Sequence, residues 1–210
     1  MKSFLSLGLI FFAMTFCGLG DKLKSLSGNS SVGNTASNTS KSTTPGSNVE
    51  KATLTGAQQA IADGAVETKW DQQGISWKLP AGWKKMDVKK LAFNHQSPDN
   101  AFLLVNISEM PDDFPMDISL NAYYDQAMQQ LKNGHYEKVR MLNIDGIDGV
   151  EFTEAPPEEK DGIRRYQWIA YRSYLGQKQQ LSVMLSTKGT NFDKHQDDFP
   201  AIMYSMRSTK

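Results

Sequence analysis

"YQWIAYRSYLGQKQQLSVMLST", residues 166–187, breaks once, at Leu175-Gly176, and is otherwise free of turn formers. In its second arm Leu181, Val183 and Leu185 alternate with polar neighbours, the period of two that puts one face of a strand in a core and the other in water. The first arm extends back to Ile163, so the whole stretch reads as two long strands closed by a tight turn. Directly upstream, Tyr136–Asp145 and Ile147–Glu154 read as another strand pair joined at Asp145-Gly146. "APPEEKDG" (155–162) makes a charged turn from that pair into the first arm. Four long strands joined by such short connections are antiparallel.

The flanks supply the other layers. On the N-terminal side, "GISWKLPAGWKK" (74–85) alternates Ile75, Trp77 and Leu79 against Ser76 and Lys78 and ends in a Pro80-Ala81-Gly82 turn. "LAFNH" (91–95) and "AFLLVNIS" (101–108) follow as strands around the polar turn "QSPDN". From Ile118 to Asn133, Leu120, Tyr124, Ala127, Met128 and Leu131 recur at helical spacing, with Asp117 or Ser119 as the expected N-cap and Gly134 as the stop. Phe192, Phe199, Ile202, Met203 and Met206 predict a closing helix from Asn191 to about Met206, kinked or restarted at Pro200. Residues 49–73 hold a short helix started by Thr53 or Thr55 and ended by Gly64, with too small an apolar face for more than a place at the domain edge. The order of elements gives an α+β class, a central antiparallel sheet with helices on its faces. One globular domain is expected over 74–210, with 49–73 as a lead-in.

The first 48 residues have a different texture. Met1-Lys2 is followed by the apolar run "SFLSLGLIFFAMTF", the charge and length pattern of an export signal and too short for a membrane span. Residues 18–48 include "GNSSVGNTASNTSKSTTPGSN", in which Val32 is the only large apolar side chain. Such a composition does not offset the entropy of ordering and reads as a tether. The chain carries 23 Lys+Arg against 23 Asp+Glu. A formal charge of zero provides no single-sign field for nucleic acid, which is excluded as a partner class.

Two resemblances follow from these residues. Met14-Thr15-Phe16-Cys17-Gly18, at the end of the apolar run, resembles the processing site of bacterial lipoproteins. The resemblance implies that Cys17 becomes the first mature residue, carries lipid, and holds the protein to a bacterial envelope membrane facing the periplasm or the cell surface. The family prefers Leu and a small residue where this chain has Met14 and Phe16. Ordinary cleavage after Gly20, releasing a soluble periplasmic protein, stays open beside it. Over residues 74–207, "ISWKLPAGW", the central helix, "NIDGIDGVEFTEA", the paired strands and "FPAIMYSMR" resemble the PsbP-like superfamily. That resemblance implies an α/β/α sandwich and transfers no catalytic residue.

No chemical template is matched. Cys17 is the only cysteine, which excludes a disulfide framework and a CxxC site, and its place in a signal leaves it no base to act with. His95, His135 and His195 are isolated in sequence, so no metal is expected. "NIDGIDG" (143–149) lacks the ligand spacing of a calcium loop and reads as a turn. Lys160, Arg164 and Arg165 alternate with Glu158, Glu159 and Asp161, a solvated hairpin rather than a phosphate site. P-loop, G-x-G-x-x-G and G-x-S-x-G motifs are absent, and no cofactor is expected. An enzyme would need a site assembled from distant residues such as His95, Tyr171 and an aspartate. The one stretch that stands out is "EMPDDFPMD" (109–117), where Met110, Phe114 and Met116 share a proline-stiffened loop with Asp112 and Asp113. It is the candidate contact for a protein partner in the envelope, and the expected function is that of a non-enzymatic binding or assembly module.

Overall fold

The computed structural model describes residues 49–209, so the expected signal, Cys17 and the tether lie outside the described residues. In chain order the strands are β1 (Glu50–Lys51), β2 (Val66–Trp70), β3 (Ile75–Leu79), β4 (Lys84–Lys89), β5 (Ala92–Gln96), β6 (Phe102–Glu109), β7 (Tyr136–Ile144), β8 (Ile147–Glu154), β9 (Ile163–Tyr174), β10 (Gln177–Lys188) and β11 (Arg207–Ser208). The helices are α1 (Gly56–Asp63), α2 (Met116–Lys132), α3 (Gly189–Phe192) and α4 (Asp198–Tyr204). An eight-stranded sheet runs β1-β7-β8-β9-β10-β6-β5-β4, antiparallel throughout except for the short β1–β7 pair. The architecture is α+β, and the β9–β10 hairpin is its centre, paired over twelve positions from Gln177↔Tyr174 to Lys188↔Ile163.

The strand patterning decides what covers each face. On one face Val150, Phe152 and Ile169 pack with Leu120 and Ala127 of α2. On the other, Leu142, Trp168, Leu181, Val183 and Leu185 meet Trp70, Trp77, Phe199, Ile202 and Met203. This second covering layer differs from the expected helices alone. It is a three-stranded sheet, β11-β3-β2, completed by α4. The period of two predicts the strand at 75–79, whereas Trp70 falls in the expected lead-in. Trp70 is in fact fully buried, within ring contact of Phe93 (5.7 Å), and Phe93 stacks on Trp77 (4.9 Å). Isolated two-residue and bulged strands such as β11 and β4 carry no periodic signal, which is why they were not expected.

Two helix ends also differ from expectation. α2 starts at Met116 after Pro115, with no side-chain cap, instead of at Asp117 or Ser119. The Ser119 N–H already reaches the Pro115 carbonyl (2.9 Å), so the first turn closes before either expected cap. The C-terminal helix restarts, as one of the two expected outcomes, but the break lies before Pro200, at a tight turn over 193–195, and Pro200 sits in the first turn of α4, where its missing N–H costs no intrahelical bond. α1 follows expectation: Thr55 caps it, its hydroxyl accepting from the Gln58 N–H, and the Gln58 Oε1 accepts from the Thr55 N–H (3.1 Å).

Two polar clusters tie the layers. Glu151 on β8 is 0 % exposed yet ionised: its carboxylate accepts from Arg140 Nε (2.5 Å), from the Tyr204 hydroxyl of α4 (2.5 Å), from the Tyr166 hydroxyl, and from Lys138 (3.1 Å). Burial pushes its pKa up, but the bonds from Arg140, Tyr166 and Tyr204 outweigh that and hold it below the ordinary value. Arg140 continues outward to Glu50, fastening β1 to β7. Arg172 on β9, buried without a carboxylate partner, donates to Gln179 (3.2 Å), to the Gln73 backbone oxygen (2.9 Å) and to Ser208 (3.3 Å), joining the two sheets. Burial lowers its pKa to about 10.

Removing the charge from the centre of the first cluster leaves Arg140 without its buried partner. Glu151→Gln is expected to lose about 3 kcal/mol or more in urea unfolding, whereas Lys138→Met, at the half-exposed rim, loses under about 1 kcal/mol. His95 gives a second test. It is buried beside Phe93, and burial first, then the Lys85 charge, lowers its pKa to about 4. The unfolded chain, with a histidine near 6.5, binds the extra proton, so stability is full above about pH 6.5 and falls as pH drops toward 4, by up to about 3 kcal/mol. His95→Gln should flatten that part of the stability–pH curve.

Candidate partner-binding site

β6 delivers the chain into the loop 110–115 at one end of the large sheet. The loop is held there by the start of β10: the Met110 N–H donates to the Lys178 carbonyl (2.8 Å), Gln177 Nε2 to the Met110 carbonyl (2.7 Å), and Lys178 Nζ to the Phe114 carbonyl (2.9 Å). A turn from Pro111 to Phe114 (3.0 Å) aims the Phe114 ring at Tyr171 on β9, with centroids 5.2 Å apart. Of the residues singled out in the sequence, Met110, Phe114 and Met116 are half-buried and Asp112 and Asp113 exposed. The apolar ones brace the loop while the carboxylates face water.

Two residues at this end are more unusual than the loop itself. Ile118, in the first turn of α2, is 71 % exposed, and Leu175, at the tip of the β9–β10 hairpin, is 89 % exposed. Leu175 also takes φ +49, with Gly176 at +83, the two-residue turn in which both positions are left-handed. That turn favours Asn or Asp at its first position, and the companion β7–β8 turn obeys the rule with Asp145 (φ +51) and Gly146. Leucine there carries backbone strain of roughly 1–2 kcal/mol and hides no apolar surface. The sequence signal was present in the dipeptide Leu175-Gly176, but without the fold nothing distinguished an exposed tip from a buried corner.

Beside this surface lies a hollow of about 240 Å³ between the start of α2, the β7–β8 turn and β9, lined by Met116, Asp117, Leu120, Ile147, Asp148 and Tyr171 among others. A shallower recess of about 360 Å³ adjoins it through Met116 and Asp117 and runs along Phe114, Ile118 and Lys178. The site thus offers some apolar contact beside carboxylates.

The residues considered for an enzyme do not converge. His95 shares the Phe93 face of β5, toward the two-sheet core, whereas Tyr171 packs on the α2 face. His135 is exposed. His195 is buried against Phe199 and bridges Asp99 (3.0 Å) and Asp198 (3.1 Å). The bond to Asp198, against the opposing effect of burial and with help from Asp99, raises its pKa. This arrangement fastens the β5–β6 turn to α4. Among the described residues no group of three or more His, Cys, Asp or Glu is placed to hold a metal.

No family model and no curated protein matches the chain. Solved structures do resemble it. LpqN of Mycobacterium tuberculosis, described as involved in cell envelope biogenesis, matches with TM-score 0.50 and 12% identity over 70% of this chain and 86% of that one. The Saccharomyces cerevisiae Ran-binding protein Mog1p matches with TM-score 0.42 and 8% identity, over 69% and 95%. A Bacteroides thetaiotaomicron protein matches with TM-score 0.39 and 13% identity over 65% of this chain, which spans 46% of that protein's length. At these identities the likeness concerns the fold.

Leu175→Asn relieves the left-handed strain at the hairpin tip. It is expected to raise stability by about 0.5–1 kcal/mol in urea unfolding. A loss of stability would show instead that the leucine side chain packs on its own domain.

Proposed function

We propose that the chain is a non-enzymatic binding or assembly module, tethered by lipid on Cys17 to a bacterial envelope membrane, that contacts a protein partner through the loop 110–116 and the tips beside it. The observation that carries the contact is Leu175: an apolar side chain displayed to solvent at a backbone conformation that other residues would hold at lower cost. Ile118 and the Phe114–Tyr171 pair extend the same surface. The address rests on the sequence, in which an apolar run ending at Met14-Thr15-Phe16-Cys17 is followed by a polar tether long enough to hold a domain off a surface. The envelope-biogenesis description of LpqN agrees with such a role without assigning it.

A second reading is favoured by one feature. Phe16 stands where lipoprotein signals carry a small residue, while Gly18 and Gly20 suit ordinary cleavage, which would release a soluble periplasmic form. Intact mass separates the two, since only the lipoprotein begins at Cys17 with acyl mass added. Cys17→Ala should move the protein from the membrane to the soluble fraction, and unchanged membrane association would rule out the lipid anchor.

A further inference from the structure

We infer that the hollow between the start of α2 and the β7–β8 turn receives a lysine or arginine side chain of the partner protein, an inference that rests on the loop end being the partner contact. Met116, Leu120 and the Tyr171 ring give it an apolar part, while Asp117 and Asp148 stand among the same lining residues. A long basic side chain has that division built in: a hydrocarbon stem that buries favourably and a charged head that stays at the wet rim. A purely apolar side chain would desolvate the carboxylates without pairing them, and an acidic one would be repelled.

The surrounding charges select the same occupant. Among the described residues none of Asp112, Asp113, Asp117 and Asp148 is in an ion pair. Asp148 accepts only from the neutral Asn143 amide (2.5 Å), which leaves its charge uncompensated. The cations that line the hollow and the adjoining recess are otherwise engaged. Lys178 is turned to the Phe114 carbonyl, and Arg172, though it lines the hollow, sends its guanidinium to Gln73, Gln179 and Ser208. Adjacent strand residues face opposite sides of a sheet, so the β9 backbone separates the Arg172 head from the Tyr171 wall. Ile118, along the adjoining recess, and Leu175, at the hairpin tip, lie outside the hollow and are exposed. The matching partner segment therefore carries apolar residues next to its basic one.

The test uses the full chain in detergent and a fluorescent peptide that alternates lysine with leucine, against the same peptide with glutamate for lysine. The lysine peptide is expected to bind, and the glutamate peptide not. The double variant Asp117→Asn, Asp148→Asn should weaken the lysine peptide by about tenfold, as should high salt, with the melting temperature unchanged. Equal binding of both peptides, or binding indifferent to the double variant, overturns the inference. A photo-crosslinking residue at Ile118, with Val66 on the small sheet as control, reports on the contact itself in native membranes. Crosslinking at Ile118 without lysine-peptide binding leaves the contact standing and removes the basic side chain. Absence of crosslinking at Ile118 removes both.

Discussion

A carboxylate with no exposure to water has to be satisfied from inside, and Glu151 is satisfied by groups from several different parts of the chain. Arg140 and Lys138 come from β7, Tyr166 from β9 and Tyr204 from α4, while Glu50 of β1 takes the far side of Arg140. The cost of burying one charge is thereby turned into a positional constraint. Only a chain in which α4 lies across this part of the sheet can bring the Tyr204 hydroxyl to Glu151. The aromatic group on the same side of the sheet, Trp70, Trp77 and Phe93, adds favourable burial, but such packing tolerates several arrangements of similar area, whereas the hydrogen-bonded cluster does not.

Gly149 shows how closely the core then fits. It stands beside Trp168, and a Cβ there would lie 2.4 Å from the indole nitrogen, which donates to the Leu142 carbonyl (3.1 Å). Two residues before it, the same strand begins at the Asp145-Gly146 turn, one edge of the proposed partner hollow. Rigid core and binding end are therefore consecutive parts of one hairpin. A turn held by a packed strand presents Asp148 at a fixed position, the support a recognition surface requires.

Much of the sheet was legible because its signals are local. Strand periodicity in 181–185, the paired turns at 145–146 and 175–176, and the Thr55 and Gly64 bounds of α1 each depend on a few adjacent residues. The small sheet was not legible for the same reason. β11 is two residues long and exists through its pairing with Ser76 and Ile75, more than a hundred positions earlier. The start of α2 at Met116 and the position of the break in the C-terminal helix were likewise settled by what the backbone could reach. In the candidate site, the loop 110–116 stands out by composition, but Leu175 and Ile118 are ordinary apolar residues until the fold leaves them exposed at its tips.

The sequence by itself determined the class of the fold, the order of its long strands and main helices, and the change of texture at residue 49, because periodicity and composition are written along the chain. It also determined that no recognisable catalytic template is present. Only the tertiary structure decided that Trp70 belongs to the core, that His95 and Tyr171 face opposite sides of one sheet, and that an apolar tip and a carboxylate-rimmed hollow share one end. Those facts concern which side of a sheet a residue faces and which distant segment lies against it, and they arise when strands remote in sequence pair and bury a common face.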